Sequence, residues 1–109
     1  MTRTGTRENR KTPRIPVEKG VWVAWQLTKK DRHVSRVRDL SAGGVFISTS
    51  VAVPVGTTIN LLFTMPEGET RTQGIVRYSD ADKGIGIEFT KMGAGDRARL
   101  QELLRRLAR

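Results

Sequence analysis

The chain has 109 residues, 37% hydrophobic and 28% charged, which is material for one domain and one core with a polar extension. It has no cysteine and a single histidine, His33, so disulfides, thiolate catalysis, cysteine-built zinc sites and multi-histidine metal centres are excluded. The net charge of +9 is concentrated at the two ends: residues 1–14 and residues 91–109 each carry +4, and the middle is close to neutral. An anionic partner is expected, engaged by the ends. No apolar run is long enough to cross a bilayer and no signal-peptide core follows Met1, so a cytoplasmic protein is the expectation.

Residues 1–13 are nearly devoid of apolar side chains and contain Gly5 and Pro13. Such a segment cannot bury enough surface to fold alone, and a flexible basic tail over 1–13 ahead of a domain over 14–109 is expected. Pro13 and Pro16 disfavour helix, so the chain should enter the domain extended.

Val21 to Leu27 reads as a strand with Val21, Val23, Trp25 and Leu27 on one face. Trp25 is assigned to the core and Trp22 is left open. Lys29-Lys30-Asp31 turns the chain. His33 to Arg38 alternates weakly, and His33 reads as an ordinary surface or edge residue. The chain then reaches Asp39-Leu40-Ser41-Ala42-Gly43-Gly44. In an extended backbone Asp39 and Ser41 share a face, a carboxylate beside a hydroxyl. A carboxylate accepts paired bonds from an N–H edge such as that of guanine or guanidinium, and a hydroxyl donates or accepts. Asp, Ser and Gly are equally the residues of a polar hairpin turn.

Val45 to Ser50 reads as the third strand, Thr58 to Thr64 the fourth, Thr70 to Tyr78 the fifth with Gly74 as a bulge or bend, and Ile85 to Phe89 the sixth. Leu100, Leu103, Leu104 and Leu107 then recur at helical spacing, with Gly95 or Asp96 as the candidate cap. Six short strands and one amphipathic helix imply a mostly β fold, a small antiparallel barrel or sandwich with a C-terminal helix over an open end or edge.

A partner for an anionic or guanine-reading site is sought in the basic tail. Arg10 and Arg14 lie four apart where the tail meets the first strand. The spacing alone says little, since three other arginine pairs share it: Arg3/Arg7, Arg32/Arg36 and Arg105/Arg109. With Asp39, Ser41 and Gly44 following 25 residues after Arg14, however, the chain resembles a PilZ domain, the bacterial receptor module for cyclic di-GMP. That family pairs an RxxxR motif before the first strand with a downstream [D/N]xSxxG motif. Arg10 and Arg14 match the first, and Asp39, Ser41 and Gly44 match the second. The Gly-Ile-Gly-Ile-Glu-Phe run at 84–89 also resembles the family's last strand.

The resemblance implies a six-stranded antiparallel β-barrel with a C-terminal α-helix, and a non-catalytic receptor that binds cyclic di-GMP through these five residues without a further cofactor. Arginine can grip a phosphate, stack on a base or bind guanine O6 and N7. Asp39 would accept from the guanine N–H edge, Ser41 would add one bond, and Gly44 would let the backbone approach the base. The tail would order over the ligand and signal to a downstream protein partner.

Two other classes are weighed beside this one. A PilZ-like interaction adaptor that has lost the nucleotide would typically lack motif residues present here. A nucleic-acid-binding barrel would use the basic ends, but only 6% of residues are aromatic and no RNP- or KH-like motif is found. An enzyme is disfavoured because no nucleophile–base pair can be named.

Overall fold

The computed structural model describes residues 14–17, 20–66 and 68–108. Its elements run β1 (Ile15–Pro16), β2 (Trp22–Gln26), β3 (Arg32–Leu40), β4 (Gly44–Ile47), β5 (Thr58–Met65), β6 (Gly68–Asp80), β7 (Gly84–Met92) and α1 (Ala94–Leu107). Every pairing is antiparallel. The order β3-β2-β5-β6-β7-β4 closes on itself through β3–β4, giving the expected six-stranded barrel with one C-terminal helix. Closure removes the exposed sheet edges that a sandwich would leave.

Inward parity follows the hydrophobic alternation. Val23 and Trp25 on β2, Ile59, Leu61 and Phe63 on β5, and Ile85 and Ile87 on β7 are buried together. Trp25 is essentially inaccessible, and its indole N–H donates to Ser35 Oγ at 2.9 Å, which satisfies its one polar atom. Trp22, one step out of phase, is 54% exposed. His33, expected at the surface or an edge, is half-buried. It stacks on Trp25 at 4.3 Å between ring centroids and pairs with Asp31.

Several boundaries differ from the sequence reading. The third predicted strand stops at Ile47, whereas β6 extends to 13 residues and β7 to nine. These long strands are interrupted by irregularities at Gln73/Gly74 and Val76/Tyr78, which let them bend around the barrel. The first irregularity is the bulge expected at Gly74.

The helix packs on β6 and drives Leu100 and Leu103 into the core, with Leu104 and Leu107 at its margin. Its N-cap is Gly93, without a side-chain cap bond. Asp96, a candidate cap in the sequence reading, sits in the first turn and accepts instead from the Arg71 backbone N–H at 2.9 Å and from Arg99 at 3.2 Å. It therefore ties the helix to β6. The Arg71 bond is the main cause holding its carboxyl below the usual range, helped by Arg99 and opposed by partial burial. No helix among the described residues is long and apolar enough to cross a membrane.

β1 is a strand the sequence reading left as merely extended. Ile15 pairs with Leu40 and Pro16 with Asp39, on the edge of β3 that β2 occupies further along. Proline is tolerated in so short an edge strand. This pairing carries the start of the described domain to the Asp39–Gly44 stretch.

Candidate functional site

β3 loses its alternation where it approaches the turn. The β3–β4 register shifts between Val37 and Asp39, so Val37 and Leu40 are buried while Arg38 and Asp39 between them both stay outside the core. Arg14, delivered by β1, forms an ion pair with Asp39. Their side chains are 29% and 31% exposed, so both groups remain in reach of solvent. Arg10 lies outside the described residues.

Ser41 does not share an exposed face with Asp39. It is 1% exposed, because the bulge shifts parity and the strand ends at Leu40. Its hydroxyl is spent on the hairpin turn, accepting from the Gly43 and Gly44 backbone N–H groups at 3.2 and 3.1 Å and bonding the Gly44 carbonyl at 3.4 Å. The Ser41 backbone N–H also donates to that carbonyl, at 2.9 Å. Ser41 is thus the organiser of the turn that follows Asp39.

Gly44 is also occupied by the fold. A Cβ there would lie 2.4 Å from the Ile87 carbonyl oxygen, so glycine permits the close approach of β4 to β7. The direction of the missing side chain is filled by β7.

Beyond Asp39 the register lays out a continuous outer row. Asp39 faces Phe46 across β3–β4, Phe46 faces Gly86 across β4–β7, and Gly86 faces Tyr78 across β7–β6. The Phe46 and Tyr78 rings lie 6.0 Å apart at 43°, above a glycine that leaves the space between them low. Arg38, which donates to Ser48 Oγ at 3.3 Å, stands on the near side. Arg77, paired with Glu88 at 2.7 Å, stands on the far side. Tyr78 donates to Asp80 at 3.2 Å. The Asp80 carboxyl lies below the usual range chiefly through the Asp82 backbone N–H, with the Tyr78 hydroxyl and the Lys83 charge adding to it.

The arrangement offers a carboxylate acceptor, a low aromatic floor and several guanidinium groups. Those groups suit a planar heterocycle with a donor edge and an attached anion. The sequence reading omitted Phe46, Tyr78, Gly86 and Arg38. The outward parity of Phe46 between Val45 and Ile47 was available as a signal; the bulge that turns Arg38 outward beside Asp39 was not.

The PilZ domain family matches the chain over residues 8–106. No curated protein matches it. Among solved structures, the chain is similar to the Bacillus subtilis inhibitor of motility MotI/DgrA, with 23% identity and a TM-score of 0.72, over 92% of this chain and 51% of that one. It is similar to K. pneumonia MrkH in complex with c-di-GMP, with 17% identity and a TM-score of 0.74, over 94% of this chain and 52% of that one. It is also similar to the PilZ domain of YcgR from Escherichia coli with c-di-GMP, with 16% identity and a TM-score of 0.72, over 93% and 92% of the two chains. The chain spans about half the length of MotI and MrkH, and at these identities the likeness shows the fold.

Proposed function

We propose that this chain, which belongs to the PilZ domain family, is a receptor for cyclic di-GMP without catalytic activity of its own. The observation that carries the reading is the Arg14–Asp39 pair, which joins the two motifs across 25 residues of sequence at the edge of the Phe46–Gly86–Tyr78 row. Solved structures of similar fold, MrkH and the YcgR PilZ domain, are complexes with c-di-GMP.

In this reading the ion pair is the resting state of the site. A half-exposed pair contributes about 0–1 kcal/mol, so separating it costs little. Asp39 then accepts from the guanine N1–H and amino edge. Arg14, joined by Arg10, turns to a phosphate or to guanine O6 and N7, where bidentate contacts are worth more than the pair they replace. Ser41 and Gly44 act through the turn and the β4–β7 seam, presenting Asp39 rather than touching ligand. Closing residues 8–16 over the ligand alters the surface offered to a downstream protein.

Amide hydrogen exchange tests this. Adding cyclic di-GMP should raise protection around residues 8–16 together with residues 39–44. A response confined to 39–44 would remove the tail clamp. No response in either segment would remove the receptor reading and leave the adaptor.

A further inference from the structure

A second surface lies on the barrel away from the Asp39 row. Along β3 its first residue, Arg32, is seven residues before Asp39, about 23 Å of strand. The register there produces two parallel outer rows. One runs Arg32–Gln26–Asn60–Gln73–Lys91 across β3, β2, β5, β6 and β7. It is three amides with a cation at each end. The other runs Val34–Ala24–Leu62–Arg71 and is apolar until its last member. Val34 is 63% exposed and stands in register with Ala24 and, beyond it, Leu62. Much of both rows lines a groove of about 520 Å³.

The charges on this face are unbalanced. The carboxylates nearest to it are engaged: Glu69 pairs with Arg71 at 3.5 Å, Asp96 takes the Arg71 backbone N–H and Arg99, and Asp31 pairs with His33. Among the described residues, no ion pair joins Arg32 or Lys91. The amides add donors between these cations, with Gln73 Nε2 donating to Asn60 Oδ1 at 3.3 Å.

We propose that this face is a docking surface for an acidic, extended segment of a partner protein. Arg32 and Lys91 stand at the two ends of a row that lines the groove, with Gln26, Asn60 and Gln73 in register between them. Acidic side chains at the two ends of such a segment meet Arg32 and Lys91, its backbone meets the amides, and an apolar side chain packs on the Val34–Ala24–Leu62 row. Charge excludes the other candidates. Residues 1–14 carry +4 and a second copy carries +9, so neither complements a cationic groove. The inference takes from the proposed function only that the domain has a partner, and it needs no bound nucleotide.

The test uses the full chain, labelled with nitrogen-15, and a capped six-residue peptide with glutamate at each end and serine and leucine between. The same peptide with lysine for glutamate and a single-stranded hexanucleotide serve as competitors. Glutamate-peptide shifts should centre on Gln26, Asn60, Gln73 and Lys91. Arg32→Glu and Lys91→Glu should each weaken binding at least tenfold while the amide spectrum stays dispersed. Equal binding of the lysine peptide, tighter binding of the oligonucleotide at this face, shifts centred on α1, or undiminished affinity in both variants would overturn the proposal. Cyclic di-GMP, added to a separate portion, should shift Asp39 to Gly44 and leave the groove unchanged. Loss of that response with an intact peptide response would sink the receptor reading alone. The reverse pattern would sink the docking surface alone.

Discussion

Gly44→Ala separates two roles that one glycine can have in this motif. The added Cβ would sit 2.4 Å from the Ile87 carbonyl oxygen, 3.4 Å from the Ile87 carbonyl carbon and 3.5 Å from the Glu88 Cα. All three are backbone atoms of β7, so no side chain can swing away. β4 and β7 would have to part by about half an ångström or more, stretching bonds such as Phe89 N–H to the Gly43 carbonyl, now 2.9 Å. Overpacking against an unyielding wall costs about 2–3 kcal/mol. For a domain of this size that is roughly 8–24 °C of Tm. Thermal unfolding followed by circular dichroism, with a denaturant titration beside it, reads the loss. A variant that melts within about two degrees of the parent would refute the seam argument. If that same variant had lost cyclic di-GMP binding, the glycine would belong to the ligand after all.

Arg14→Ala and Asp39→Ala should each weaken cyclic di-GMP binding by about 1.5–3 kcal/mol, tenfold to hundredfold, with an unchanged circular-dichroism spectrum; full affinity in both would move the site elsewhere. Ser35→Ala should leave the buried Trp25 indole N–H unpaired and lower the urea midpoint by an amount equivalent to about 1–3 kcal/mol, and an unchanged midpoint would contradict the pairing. Asp96 has a depressed carboxyl pKa in the folded state, so its contribution is present above the unfolded value and fades as pH falls through the folded one. Asp96→Ala should therefore lower Tm at neutral pH and approach the parent in acid. A gap that persists unchanged at low pH would point to a cause other than the charge.

The barrel was legible because its strands alternate cleanly: Val23 and Trp25, Ile59, Leu61 and Phe63, and Ile85 and Ile87 all face inward as their spacing requires. The helix face was legible for the same reason at a different period. What escaped is non-local. β1 forms because β3 continues past the end of β2, and that fact joins Arg14 to Asp39 although four arginine pairs share the same spacing. The Val37/Asp39 register shift defeats alternation where it was used to place Asp39 and Ser41 together, and Ser41 turns inward to hold its own hairpin. Asp96 looks like a cap from its neighbours and is a tether because Arg71, 25 residues away, offers a free N–H. In each case the deciding partner stands on another strand.

Calorimetric titration of the full chain with cyclic di-GMP and, in parallel, cyclic di-AMP gives affinity, stoichiometry and base preference together. Asp39 reads the guanine N1–H and amino edge, and arginine reads O6 and N7; adenine lacks that N1–H and carries a donor at position 6. Saturable binding of cyclic di-GMP is expected, with cyclic di-AMP at least tenfold weaker and the preference retained as salt rises, since only the phosphate contacts are screened. Equal affinity for the two nucleotides, or no heat with either, would contradict the assignment of this domain as a cyclic di-GMP receptor.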